Sequence, residues 1–343
     1  MAFDEKYCLD TFEKLLAVDS TTGQYEEIEK CVTKMIEDLG YEVKHTHKGG
    51  VIVDLGGEGD PLVVTAHLDD IGLMVRHINA DGTLNVCPVG GLYPFYCVME
   101  NVNVYTRDGK VYTGTIGRIP NSLHVTEEEL RDSLGDFRKN VNVVLDEDVK
   151  CAEDTRKLGI ETGDMIALVP RFTVSNGYIK SHFVDDKACA AVLLDAMRTL
   201  KKENVKLNRK VYAYFAMYEE IGHGTTYLPE GVKDILAIDI APIGPDQNSD
   251  EKKVSIFAKD SRFPYHYGMT SELRRCAIDE KVDYVMDIFT PHYGTDGDGS
   301  ILAGYDIRHA AIGPGTRNSH GYERTHIDGL KNTYDLLMAY LKR

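Results

Sequence analysis

The sequence has no apolar run approaching the roughly 20 residues that a membrane-spanning helix needs; the longest, such as Leu62 to Ala66 and Val211 to Met217, fall far short of it. Its first residues, Met1-Ala2-Phe3-Asp4-Glu5-Lys6, lack the basic and apolar regions of a secretory signal, so the expectation is a cytoplasmic protein. Basic clusters are missing too: short pairs such as Lys201-Lys202 stand against a formal net charge of −16. Nucleic acid and anionic membranes need clustered Lys and Arg to displace counterions, so neither is expected as a partner. The seven cysteines (Cys8, Cys31, Cys87, Cys97, Cys151, Cys189 and Cys276) are odd in number and contain no C-x-x-C pair. They read as reduced and mostly buried rather than as a zinc, redox or disulfide framework.

What the sequence does have is 343 residues, 43% of them hydrophobic, enough for one large domain and one smaller one. Two helix-like segments, Glu5 to Val18 and Tyr25 to Leu39, flank the turn-prone Asp19-Ser20-Thr21-Thr22-Gly23. Val51 to Leu55 and Leu62 to Ala66 read as buried strands. From about Arg76 to Arg171 the texture shifts to strand-like pieces punctuated by Gly, among them Asn103 to Thr106, Val111 to Ile116 and Met165 to Val169. Apolar strands and amphipathic helix then alternate: helix from Ala188 to Leu200, strands at Val211 to Met217, Leu236 to Ile240 and His309 to Ile312, and a closing helix from Ile327 to Leu341. That alternation predicts an α/β fold with a mostly parallel central sheet flanked by helices. The expected division is a catalytic domain in two parts, 1–75 and 172–343, interrupted by a β-rich insertion at 76–171.

Five segments carry a His or an acid at or just beyond a strand end, or at a helix start: His67/Asp69, Asp185/Asp186, Glu219/Glu220, Asp239 and His320. In open α/β sheets that edge is where sites form. Two imidazoles and several carboxylates make a poor structural zinc site but suit a catalytic pair, because a bridging carboxylate can hold two metals about 3.5–4 Å apart. The spacing of two in His67-Leu68-Asp69 puts both side chains on one side of extended chain, where the carboxylate can orient the imidazole. Glu219 and Glu220, adjacent on extended backbone, would point to opposite sides, one to a metal and the other to water as a general base.

The ordered motifs resemble the M42 family of glutamyl and deblocking aminopeptidases. Ala66-His67-Leu68-Asp69-Asp70-Ile71-Gly72-Leu73-Met74-Val75 is similar to the family's A-H-M-D-E-I-G-F-M-V, and Asp185-Asp186-Lys187 to its D-D-R/K. Glu219-Glu220-Ile221-Gly222 (family E-E-V-G), Ala237-Ile238-Asp239-Ile240, Gly294-Thr295-Asp296-Gly297 and the late His320 follow in the family's order. The resemblance implies a zinc-peptidase-like fold and an aminopeptidase acting on short peptides with two divalent metals per subunit, zinc first, with cobalt or manganese also suited to such ligands. It implies metal ligands His67, Asp185, Glu220, Asp239 and His320 with Asp185 bridging, Glu219 as general base, and Asp69 steadying His67. It also implies dimerisation through the inserted domain and assembly of the dimers into hollow dodecamers. Two departures stand out: Arg317-Asn318-Ser319-His320-Gly321 replaces the family's R-Y-x-H-S, and Ala241-Pro242-Ile243-Gly244-Pro245-Asp246 lacks the usual small polar and acidic pattern after Asp239.

Simpler readings compete at each point. A His at a strand end is often only hydrogen-bonded, and Asp185-Asp186 suits the cap of a following helix. Asp296-Gly297-Asp298-Gly299 lacks the further acids of an EF-hand and reads as a flexible loop near the substrate. His223, His292 and His326 read as ordinary residues, and Glu127-Glu128-Glu129 and Asp250-Glu251-Lys252-Lys253 as solvated faces. The same metal chemistry would also serve a carboxypeptidase or N-acyl amino-acid deacylase, with Arg262, Arg274, Arg275 or Arg317 to hold a carboxylate. A glycosidase would need two acids across the scissile bond and usually no metal.

Overall fold

Short β-rich runs and one long apolar helix set the architecture. A computed structural model describes residues 2–119 and 135–343 of the chain, so Glu127-Glu128-Glu129 lie outside the described residues. The chain forms two compact units, one from Met1–Val18, Tyr25–Asp69 and Arg171–Arg343, the other from Asp19–Gln24 and Asp70–Pro170. The short turn Asp19–Gln24 therefore belongs to the inserted unit, which the sequence pattern did not signal: Thr22 N–H donates to the Asp70 carbonyl, and Ser20 Oγ donates to Asp70 Oδ2.

The larger unit is built on a mixed sheet ordered Val43–His45, Val51–Gly56, Val211–Ala216, Leu62–His67, Asp234–Ile238, Arg308–Thr316, Val254–Lys259 and Tyr284–Ile288, with Ala241–Pro242 pairing beside Arg308–Thr316. Its four central strands, Val211–Ala216 to Arg308–Thr316, are parallel; antiparallel pairs occur on either side of them. The strand Leu62–His67 is buried at every position, as a sheet covered on both faces requires. The helix Val184–Lys202 contacts this strand and packs against Glu5–Leu16 and Ile327–Leu341. Val192, Leu193, Leu194 and Met197 on it are fully buried, each contributing about 1.5–3 kcal/mol relative to exposure. The expected α/β architecture is therefore present.

The second unit is a closed barrel of six strands in the order Gly72–Ile78, Leu84–Val89, Val141–Leu145, Val111–Arg118, Asn101–Tyr105 and Met165–Leu168. All its pairings are antiparallel. Alternate residues such as Leu73, Val75, Leu84, Val86, Val102 and Val104 are buried, so the period-two pattern fills the barrel. No helix among the described residues is long and apolar enough to cross a membrane. All seven cysteines are free, and Cys8, Cys97, Cys189 and Cys276 are buried.

Candidate metal centre

The parallel register brings the predicted residues together. Ala216 pairs with His67 and Ala237 with Thr65, so three adjacent strands end level. His67 closes one of them, Asp239 follows the strand Asp234–Ile238, and Glu219 and Glu220 follow Val211–Ala216. Asp185 enters from the first turn of Val184–Lys202, where Asp185 and Asp186 depart from helical geometry, and His320 arrives on the loop after Arg308–Thr316.

Asp185 stands between the two imidazoles. Its Oδ1 lies 3.2 Å from His67 Nε2 and its Oδ2 lies 3.6 Å from His320 Nε2. Glu220 lies 3.4 Å from His320 Nε2, and Glu219 lies 3.7 Å from His67 Nε2. One ligand atom each from His67, Asp185 and Glu220 falls within a 4.8 Å cluster, and a second such cluster joins His67, Asp186 and Asp239. All the predicted ligands thus face one region, and Asp186 joins them.

Two expectations change. Glu219–Ile221 is a tight 3-10 turn, not extended chain, so the two carboxylates part by a turn rather than by strand alternation. Tyr218 enters that turn with φ of 67°, because the chain must reverse sharply at the strand end. Asp69 also acts differently. His67 Nδ1 lies 3.0 Å from the Asp69 backbone carbonyl and 3.6 Å from its carboxylate, while that carboxylate accepts the Glu219 N–H at 3.0 Å and the Glu220 N–H at 3.3 Å. The carbonyl sets the imidazole, and the carboxylate holds the acidic turn.

Glu323 has no counterpart in the sequence reading. Nearly fully buried, it accepts the Asp185 N–H through Oε2 and the His320 N–H through Oε1, both at 3.0 Å. No motif spacing marks it; the signal is a buried acid tied to backbone donors, Val184 among them. Left-handed backbone at Phe183, Tyr218 and His320, with φ of 63°, 67° and 63°, borders the same segments. Such conformations cost free energy in residues other than glycine and concentrate at functional sites.

The electrostatics show a surplus of negative charge. Burial pushes the carboxyls of Glu219, Glu220, Asp239 and Asp186 well above the usual carboxylate range, and neighbouring acids push in the same direction. Burial also opposes charge on Asp185, yet His67 and His320 hold it below that range. Burial opposes charge on His67 as well, but Asp185, Glu219, Asp186 and Asp69 together raise its pKa well above the ordinary value. Asp296, hydrogen-bonded by Thr65 Oγ1, is pushed by burial up to about 6. A donor set of two imidazoles with so many buried carboxylates fits divalent cations, which would supply the missing positive charge.

A cavity of about 500 Å³ opens on Asp185, Glu219, Glu220, Asp239 and His320 and continues past Arg262, His292 and Tyr293. The remaining histidines have other surroundings: His326 Nδ1 caps the final helix, accepting the Asp328 N–H, and His223 Nδ1 lies 2.9 Å from Lys48 Nζ. Asp296-Gly297-Asp298-Gly299 is not a loop but the buried start of the helix Asp296–Leu302. Arg317, one of the candidate carboxylate holders, pairs instead with Glu251 at 3.4 Å.

YhfE of Bacillus subtilis (strain 168), assigned as an aminopeptidase, is 36% identical over 338 residues covering 97% of each chain. The glutamyl aminopeptidase of Lactococcus lactis (strain MG1363) is 25% identical over 350 residues, covering 97% of this chain and 95% of its own. Among solved structures, the TET1 peptidase of Pyrococcus horikoshii, which can assemble into a tetrahedron or a large octahedral shell, superposes with a TM-score of 0.85 at 23% identity, covering 97% of this chain and 99% of its own. The sequence profile of the M42 glutamyl aminopeptidases matches residues 49–336, so the chain belongs to the M42 aminopeptidase family and is a hydrolytic enzyme.

Proposed function

We propose that the protein removes N-terminal residues from short peptides at a two-metal centre that His67, Asp185, Glu220, Asp239 and His320 would hold, with Asp185 between the two imidazoles. The observation that carries this reading is the division of the Asp185 carboxylate, one oxygen toward each imidazole. Two divalent ions held there, zinc first and cobalt or manganese as alternatives, would supply Lewis acidity and lower the pKa of water.

The chain's own residues do the rest. Glu219 faces the cavity from the tight turn with its carboxyl raised by burial, so an oxygen of that carboxylate takes a proton from the attacking water and returns it to the leaving nitrogen. Asp69 fixes the turn through two N–H bonds and sets the His67 ring through its carbonyl. Asp186 Oδ2 accepts the His67 N–H at 3.2 Å, which ties the ligand-bearing strand end to the helix. In metal-stripped protein, aminoacyl-p-nitroanilides are expected to be cleaved only after zinc, cobalt or manganese is restored. Glu219→Gln is expected to lower kcat about a hundred- to ten-thousand-fold with metal still bound; near-normal turnover would remove Glu219 from the role of base.

Arg262 favours a second reading, because a guanidinium lining the same cavity could hold a terminal carboxylate, as a carboxypeptidase or N-acyl amino-acid deacylase requires. Cleavage of an N-blocked dipeptide in preference to Leu-p-nitroanilide would select it. Self-association through the barrel unit, building toward a dodecamer, is part of the proposal. It is supported by the exposed Tyr93, Phe95, Tyr96 and Met99 on that unit, an apolar group unusual for a free surface.

A further inference from the structure

Asp260, Asp298 and His309 form a separate buried cluster. They come from the end of the strand Val254–Lys259, the first turn of the helix Asp296–Leu302 and the strand Arg308–Thr316, and one ligand atom from each falls within 4.8 Å of the others. Asp260 is fully buried, Asp298 is 1% exposed and His309 is 4% exposed. Among the described residues, Asp260 Oδ2, both Asp298 oxygens and His309 Nε2 are buried without a hydrogen-bond partner. Leaving such groups unsatisfied costs about 1–3 kcal/mol each, and more when they are charged.

We propose that these three side chains bind a third divalent cation of the zinc, cobalt or manganese class, distinct from the catalytic pair. Burial raises the pKa of Asp298 and its contact with the Asp260 carboxyl pushes the same way, so a proton shared by the two acids is what a bound cation would displace. His309 Nε2 stands 3.6 Å from Asp298 Oδ1, too long for a good hydrogen bond. Two donors about 2.1 Å from a tetrahedral ion sit about 3.4 Å apart, and imidazole–carboxylate gaps of 3.2 to 3.6 Å recur at the proposed catalytic pair. One nitrogen and carboxylate oxygens suit these borderline cations.

The surrounding backbone fits a closed, structural site. A Cβ on Gly294 would meet Asp298 Oδ2 at 2.9 Å, and one on Gly297 would meet the His309 ring at 3.2 Å. The His309 ring also lies 4.6 Å from that of Tyr265, whose hydroxyl is 3.0 Å from Thr295 Oγ1. Asp260 Oδ1 accepts the N–H groups of Arg262 and Phe263 at 2.7 and 2.8 Å. A cation here would therefore tie together two segments that line the substrate cavity, one carrying Ser261 and Arg262 and the other Tyr293 to Thr295.

The test combines metal counting with anomalous diffraction on the full chain. Protein loaded with zinc and freed of excess should carry one more ion per subunit than Asp298→Asn or His309→Gln prepared alike. Crystals of the zinc-loaded wild type should show an anomalous peak among Asp260, Asp298 and His309. Equal metal content in the wild type and both folded variants, or a map with no peak at these residues, overturns the proposal. The map needs no variant, so it decides even if both substitutions prevent folding, and its position separates this site from the catalytic one.

Discussion

Replacing Glu323 by Gln should weaken the metal centre without touching a ligand. The Glu323 carboxylate accepts the Asp185 N–H and the His320 N–H, each at 3.0 Å, and a further N–H from Val184. Gln keeps one acceptor and turns a donor toward the other N–H, so one buried N–H and the new amide N–H face each other unpaired. Each buried donor left unsatisfied costs about 1–3 kcal/mol, so these two should lower the unfolding free energy by about 2–6 kcal/mol. Glu323→Ala, which leaves the Asp185 and His320 N–H groups without this acceptor, should cost a comparable amount, about 2–6 kcal/mol. Either Asp185 or His320 must then shift, and supporting contacts of this kind are worth about 10–100-fold in metal affinity. Competition with a calibrated chelator measures the affinity, and denaturant melts of the metal-free protein measure the stability. Wild-type affinity together with wild-type stability in Glu323→Gln would refute the argument that this carboxylate positions the two segments.

Metal binding should release protons, because burial holds Glu219, Glu220 and Asp239 above the usual carboxylate range in the metal-free chain and the bound form needs carboxylates ionised. Affinity should therefore weaken as pH falls, starting above the ordinary carboxylate pKa of about 4; calorimetry in buffers of different ionisation enthalpy reads the protons, and none released would contradict it. Gly313→Ala should abolish metal binding or folding, since its Cβ would stand 1.5 Å from the Asp239 carbonyl oxygen; a soluble variant with full metal content would show that the strands can part there. Leu193→Ala, at a fully buried site on the long helix, should cost about 2–5 kcal/mol in urea melts, and a loss below 1 kcal/mol would mean that the helix repacks.

Much of this molecule was legible in the sequence because its signals are local. The closing helix from Ile327 to Leu341 has the bounds its periodicity gives, and the strands at Leu62 and Val211 were plain as short apolar runs bounded by turn residues. His67, Asp185, Glu219, Glu220, Asp239 and His320 were legible for the same reason: each sits at a strand end, in a turn or at a helix start. What the sequence could not carry is anything that depends on which segments meet. The 3-10 turn at Glu219 arises because the chain reverses under two N–H bonds to Asp69, a partner 150 residues away. Glu323 has meaning only beside Asp185 and His320, and the pairing of Asp260 with Asp298 and His309 exists only after three segments converge. Strand-end and turn positions offered the candidates and the ordered M42-like motifs implied which are ligands; tertiary packing, by burying carboxylates against one another and against backbone donors, decided which of them come together.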